Sequence, residues 1–450
     1  MAGTKPVSGA RAPSRRPTVR AVAAGSVGNL VEWYEFGVYG FLATVLAERF
    51  FAPAGGGSAE ALVRTYASFA LAFFFRPLGA VLFGRLGDRW GRRPVLIAVV
   101  ALMSGTTTLI GALPTYATAG ALAPWLLTFL RAVQGLAAGG EFGGAVTVLT
   151  EFAPPGRRGL YGAWQSFTVA LGLLCGAGVA ALTATALTGS QLASWGWRLP
   201  FLLALPLGLV ALWLRAGLTE TPSFLAHADA PGARTARLGW GALLLAAARV
   251  TGWSAAGYTF LVVLPSYLQV SLHAGVRRAL LSAAVANAGF AAAILPAGLL
   301  SDRVGRRPVL FAGAVLVTVT ALPLLDVLQD PAASGVAKGW ALAAAGAVVG
   351  LMAGPGPALL AETFPTGVRW AGLGLAYALA NAVFSGCAGL IIPEAVRRTG
   401  NPDVPAYYAA AACAVSALAL LARPTGGTGP TDSARSAENG RGKGGGDRCW

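Results

Sequence analysis

Two glutamates three residues apart, Glu32 and Glu35, stand in GNLVEWYEFGVYG, residues 28–40, among glycine, aromatic and aliphatic neighbours. A carboxylate in such a setting can hold a buried cation, or it can take up and release a proton. The cations are supplied by three arginines in equally apolar surroundings: Arg76 in FFFRPLG, Arg131 in RAVQGLAAGG and Arg249 in LLLAAARVTGW. On a helix, a spacing of three puts both carboxylates on one face, where they repel, so at least one is expected to take a proton near neutral pH.

Membrane helices must position these groups. The chain has 450 residues, 55% of them hydrophobic, a mean hydropathy of +0.63 and 12% charged residues, where a soluble domain carries about 25%. Runs of about 20 apolar residues, enough to cross a hydrocarbon core, recur between residues 22 and 422. They predict an all-α membrane protein with twelve transmembrane helices. At 1.5 Å per residue from residue 22, Glu32 lies about 15 Å deep and Glu35 about 20 Å. The fourth helix, entering near residue 122, brings Arg131 about 14 Å below the opposite surface.

A charge at that depth costs several kcal/mol unless it pairs or meets water, so each is a functional candidate. Glu32 and Glu35 either couple proton movement or hold helices together by hydrogen bonds. Arg131 is a candidate partner for either, as a coupling residue or as one half of a structural ion pair, with Gln134 one turn on. Glu141, ten residues beyond Arg131, either extends a relay or bonds to loop arginines. Arg76 is either a substrate ligand or structural. Arg249 either meets a substrate carboxylate or reaches back toward the interface. Trp33, Tyr39 and Tyr258 offer aromatic faces to a cationic ligand or simply pack, and Asn381 offers a hydrogen-bonding amide.

The net charge of +16 is explained by topology. With a cytoplasmic N-terminus, 23 of the 34 basic residues fall on the cytoplasmic side, 8 on the other and three inside helices. That is the positive-inside pattern, with both termini cytoplasmic, and it argues against a nucleic-acid partner. The basic arm MAGTKPVSGARAPSRRPTVR has no cleavable-signal pattern, so the first helix is expected to be retained. The four cysteines show no metal or disulfide spacing. A G-x-x-x-x-G-K-[ST] loop for nucleotide is absent, and His227 and His273 form no cluster, so neither cofactor nor metal nor enzymatic activity is expected.

The chain repeats itself. GRLGDRWGRRPVL at 84–96 returns as GLLSDRVGRRPVL at 298–310, an offset of 214. Glu151, Pro154, Gly156 and Arg158 recur as Glu362, Pro365, Gly367 and Arg369, an offset of 211. The expected plan is a cytoplasmic basic arm (1–21), a six-helix half (22–217), a cytoplasmic linker (218–238), a second six-helix half (239–422) and a disordered polar tail (423–450).

The repeated motif, one copy between two apolar helices in each six-helix half, resembles the loop between the second and third helices of the major facilitator superfamily and its counterpart in the second half. Within it the chain is similar to the metabolite:proton symporters, which include proline/betaine, α-ketoglutarate, citrate and shikimate permeases. That resemblance is carried by GNLVEWYEFGVYGFLA, FRPLGAVLFGRLGDRWGRRP, RAVQGLAAGGEFGGA, WGWRLPFLLALPLGL, LTETPSF and AETFPTGVRWAGLGLAYALANAVFSG. Glu35 departs from it where aspartate is usual, as does Ala378 where asparagine is common, and the tail lacks the coiled coil of osmosensing members. The resemblance implies proton symport of a small organic acid or zwitterion across the cell membrane, by a monomer with substrate bound between the halves. It also implies a cytoplasmic gate. The gate's charges would be Asp88, Arg89, Arg92, Arg93 and Arg158, repeated as Asp302, Arg303, Arg306, Arg307 and Arg369. Uncoupled facilitation, proton-driven export and a receptor that does not transport are the alternatives.

Overall fold

The computed structural model describes residues 15–52, 57–90, 92–139, 142, 146, 149–150, 153–216, 239–364 and 368–422. The first fourteen residues of the arm, the linker 218–238, the tail 423–450 and Glu141 lie outside them.

The described residues fold into twelve helical spans without a strand. They are α1 (Arg15–Phe41, continued by short segments to Phe51), α2 (Ser58–Trp90), α3 (Arg92–Ala112), α4 (Leu122–Ala138), α5 (Arg158–Ala186) and α6 (Gly189–Ala216). The second half has α7 (Trp240–Gly257, continued to Val270), α8 (Val276–Val304), α9 (Arg306–Gln329), α10 (Gly335–Thr363), α11 (Gly372–Thr399) and α12 (Val404–Leu421). Nine of these are long and apolar enough to cross a membrane, and α4 is a shorter apolar helix. The other two, α1 and α7, carry Glu32, Glu35 and Arg249, which lower their hydropathy.

Large apolar side chains such as Leu78, Leu109, Phe129, Leu182, Val319 and Leu418 point outward, as a lipid-facing surface requires. Trp125, Trp213, Trp240 and Trp340 are exposed near helix ends, where interfacial rings belong.

The duplication extends to the packing. A Cβ at Gly135 on α4 would sit 2.0 Å from the Ala72 carbonyl oxygen on α2, and one at Gly346 on α10 would sit 1.9 Å from that of Ala286 on α8. Each member of the first pair maps onto the second by the sequence offsets of 211 and 214. Glycine is required at both because the helix backbones themselves touch. Between the halves, α5 packs on α8, and α2 packs on α11.

The duplicated motif is not the loop that the sequence suggests. Helix α8 runs through Asp302 and Arg303 to Val304, and Arg306 opens α9, with Gly305 alone between them at φ 100°. Only glycine turns so sharply without steric cost, which makes the second copy of the motif a single-residue turn. In the first half, Asp88 and Arg89 lie in the last turn of α2, and Arg92 and Arg93 open α3. Their side chains are outside the described residues, and the end of the bundle they mark is termed the arginine face.

Wider, π-type turns interrupt α7 at Tyr258–Val263 and α11 at Asn381–Gly386. Such turns occur often at functional sites.

Candidate functional site

One turn of α1 distributes its two acids to different neighbours. The Glu32 carboxylate reaches the Arg76 guanidinium of α2, Oε1 to Nη2 3.5 Å. The Glu35 carboxylate is fully buried and accepts hydrogen bonds from α3, from Ser104 Oγ at 2.7 Å and Thr107 Oγ1 at 3.0 Å. The expectation of two carboxylates repelling each other on one face therefore needs correcting. Three residues turn a helix through 300°, which leaves the side chains about 60° apart, enough for α2 to take one and α3 the other.

Arg131 is also fully buried. It donates through Nη1 to Gln134 Oε1 at 2.7 Å, Gln134 Nε2 donates to Thr107 Oγ1 at 2.6 Å, and Thr107 in turn donates to Glu35. Arg131 is thus connected to Glu35 through an amide and a hydroxyl. Ser104 and Thr107 were missed by reasoning from charge. The signal was the polar run SGTTT, residues 104–108, in the middle of an otherwise apolar helix.

Aromatic faces hold both guanidinium groups. Arg76 lies 4.4 Å from the centre of the Phe36 ring, 4.5 Å from Phe73 and 5.6 Å from Trp33. Arg131 lies 5.0 Å from the same Phe36 ring, 4.2 Å from Tyr39 and 4.7 Å from Phe69. Tyr39 is fixed in turn by its hydroxyl, 2.5 Å from Ser68 Oγ. Rings stabilise a desolvated cation without consuming its N–H donors. Accordingly, among the described residues, Nε and Nη2 of each arginine have no hydrogen-bond partner, and neither does the Tyr258 hydroxyl. Buried donors in that condition are uncommon, and a ligand acceptor is one way to satisfy them.

Beside this cluster a small cavity separates the halves. It is lined by Trp33, Ser166, Trp253, Ser254, Tyr258, Phe290, Tyr377 and Asn381, among others. Its volume of about 30 Å³ suits a water or two but not a metabolite. Filling it with a substrate requires the helices to part. Tyr258 meets the charged cluster across the cavity, its ring 6.2 Å from Trp33 and 5.3 Å from Phe73. The Asn381 amide is engaged within α11 and with Ser385, donating to the Tyr377 carbonyl at 2.9 Å and accepting from Ser385 at 2.8 Å.

Arg249 does not join the group. Its guanidinium donates to the carbonyls of Ala419 and Ala422 at 3.2 and 3.0 Å, where the end of α12 leaves acceptors unused. The geometry gives it a capping position at the end of α12, in keeping with a side chain that reaches back toward the interface.

At the arginine face, Asp302 crosses between the halves. Its two oxygens accept the backbone N–H groups of Gly159 and Leu160 at 2.8 and 2.9 Å, in the first turn of α5. An anion is favoured there by the helix dipole. Arg306 pairs with Asp302 at 2.8 Å and with Glu362 at 3.5 Å. Arg369 donates to the Phe364 carbonyl at 3.3 Å. Arg158 and Arg303 are exposed, and Arg307 is half-buried.

Comparison with known proteins identifies the family. The family model for sugar (and other) transporters matches residues 21–241 and again 234–424, once per half. The glycine betaine/proline/ectoine/pipecolic acid transporter of Dickeya dadantii is 35% identical over 406 residues, covering 86% of this chain and 80% of that protein. The ectoine/proline transporter of Corynebacterium glutamicum is 36% identical over 431 residues (90% and 83%), and the α-ketoglutarate permease of Escherichia coli is 35% identical over 381 (83% and 86%). Among solved structures, a major facilitator superfamily proton:xylose symporter bound to a bromodeoxyglucose superposes with a TM-score of 0.75 at 18% identity, over 90% of this chain and 95% of its own.

Proposed function

This chain belongs to the sugar (and other) transporter family of the major facilitator superfamily, a transporter rather than an enzyme, and from that premise we propose that it imports a small zwitterionic carboxylate with protons. The observation that carries the reading is the Glu32–Arg76 pair, in which a buried guanidinium keeps Nε and Nη2 without a hydrogen-bond partner among the described residues.

The coupling follows from competition. While Glu32 is ionised it holds Arg76, and a substrate carboxylate approaching Arg76 must share it with a second anion. A proton on Glu32 removes that charge and leaves Arg76 to the substrate by charge-assisted bonds. Substrate and proton then cross together, and loss of the proton from Glu32 on the inner side, with departure of the substrate, restores the pair. Glu35, joined to Arg131 through Thr107 and Gln134, is the second proton-responsive group.

The rings around the cavity favour a substituted ammonium over a second carboxylate at the other end of the substrate. The relatives that transport betaine, proline and ectoine support the same class. One chain supplies both walls of the site, so we assign transport to the monomer. The basic residues orient it in the cell membrane with both termini cytoplasmic. Parting of α5 from α8 at Asp302, and of α2 from α11 on the opposite face, would expose the cavity alternately to the two sides.

The test uses purified protein in liposomes with a trapped pH dye, adding proline, glycine betaine, ectoine or α-ketoglutarate outside. Acidification of the interior by a zwitterion, absent from empty liposomes, is expected. In Glu32→Gln, exchange of labelled substrate persists while accumulation driven by a proton gradient is lost. Accumulation retained in that variant would refute the assignment of Glu32.

A further inference from the structure

On the face opposite the arginine turns, a second cavity of about 140 Å³ lies where α2, α7 and α11 meet. It is larger than the central one. An apolar cavity of about 150 Å³ admits benzene, so this space fits a molecule of a few heavy atoms. Its walls combine Leu62 of the first half with Ser266, Tyr267, Ser271, Ile392 and Arg397 of the second. Neither the sequence reading nor the central site accounts for it.

Three features suit it to the same kind of substrate. The first is charge. Glu394 accepts from Arg397 at 2.8 and 2.7 Å and also from Arg398, and with the neighbouring Arg64–Glu60 ion pair the mouth carries three guanidinium groups against two carboxylates. The second is position, because Ser266 is both a wall of the cavity and a bond between the halves. The Ser266 hydroxyl donates to the Val263 carbonyl at 2.7 Å and lies 2.8 Å from the Tyr66 hydroxyl of α2, from which it accepts. The third is the path inward. Tyr66 packs edge-on to Phe69 with ring centres 6.1 Å apart, and Phe69 lies 6.1 Å from Tyr258 of the central site.

We propose that this cavity is a second, weaker binding site for the substrate, an antechamber on the route to the central site. Arg397 receives the carboxylate there, and Ser266 exchanges its bond with Tyr66 for one with the ligand. Loss of the Tyr66–Ser266 bond loosens α2 from α7, so occupancy of the antechamber favours opening of the path beneath it. Thr44 Oγ1 bonded to Gln269 Oε1 at 2.9 Å is the companion link from α1 that must also yield. The inference rests on the carboxylate-bearing substrate argued above.

The experiment is equilibrium binding of labelled proline and glycine betaine to the purified full-length protein, with Arg397→Gln and Ser271→Trp as variants. The wild type is expected to bind two molecules per chain, one tightly and one weakly. Each variant should keep only the tight one, and the half-saturating concentration for uptake should rise about tenfold in Arg397→Gln. Arg397 is partly exposed, so its loss is compatible with folding. One molecule per chain in the wild type, or two in both variants, would overturn the antechamber and leave the central reading standing. No binding of either probe to the wild type would overturn the substrate class and the antechamber together.

Discussion

Removing one member of the Glu32–Arg76 pair should do more damage than removing both. The two charges are 3.5 Å apart, and their side chains are only 5% and 7% exposed. At an effective dielectric constant of about 20, unit charges at that distance attract by roughly 5 kcal/mol. Much of this is offset by desolvation, but the asymmetry survives, because a buried charge left without its partner costs about 3–5 kcal/mol. Glu32→Gln strands the guanidinium among Trp33, Phe36 and Phe73, whose faces return about 0.5–2 kcal/mol. Arg76→Gln strands a carboxylate in the same environment. The double variant strands nothing, so it should be more stable than the two single losses predict by about 2 kcal/mol or more. The assay is unfolding of the four proteins in one detergent, followed by tryptophan fluorescence and read as a double-mutant cycle. A double variant whose loss equals the sum of the singles would refute the ion pair, and with it the competition on which the coupling rests.

Gly346→Val should prevent accumulation of folded protein, because its Cβ would lie 1.9 Å from the Ala286 carbonyl oxygen, whereas Gly241→Val, with open space at its Cβ, should express normally; yields from membranes compare them. Asp302→Asn weakens the acceptor for the Gly159 and Leu160 amides by about 1 kcal/mol, and thiol labelling of a cysteine placed at Ala353, near the Ser166 contact between the halves, should become faster as the arginine face opens more often. Arg249→Ala should lower the unfolding temperature while leaving the half-saturating concentration for substrate unchanged, since its partners are the end carbonyls of α12.

Depth in the membrane could be read from the sequence, and direction around each helix could not. A fixed rise per residue puts Glu32, Glu35 and Arg131 near mid-bilayer without any structure. Which neighbour each side chain meets depends on the helix that packs beside it. For that reason Arg76 and Arg249, alike as lone arginines in apolar runs, have different surroundings: an acid and three rings in one case, frayed carbonyls in the other. Ser104 and Thr107 were overlooked because a hydroxyl in a membrane helix normally bonds to its own backbone. Thr107 has one hydroxyl proton to share between the Met103 carbonyl and Glu35, each 3.0 Å away, and only the tertiary structure reveals the second acceptor. The π-type turns at Tyr258 and Asn381 have no local sequence cue.

The duplication separates what both halves need from what one half needs. Backbone contact at Gly135 and Ala72 is repeated at Gly346 and Ala286, so the packing of α2 on α4 reappears as that of α8 on α10. The same offsets carry Arg76 to Phe290, Arg131 to Leu342 and Gln134 to Ala345. These three, and Thr107, which maps onto Ala321, thus have apolar counterparts, whereas Ser104 maps onto another hydroxyl, Thr318. A symmetric scaffold can rock between two equivalent arrangements at small energetic difference, but it gives no direction to the proton. Confining the proposed coupling acids and arginines to the first half, against a wall of rings in the second, would make the proposed zwitterionic substrate span the interface when it binds. Its carboxylate would report on the protonation of Glu32, its cationic end would draw Tyr258 and Trp253 inward, and the movement of the halves would become conditional on both.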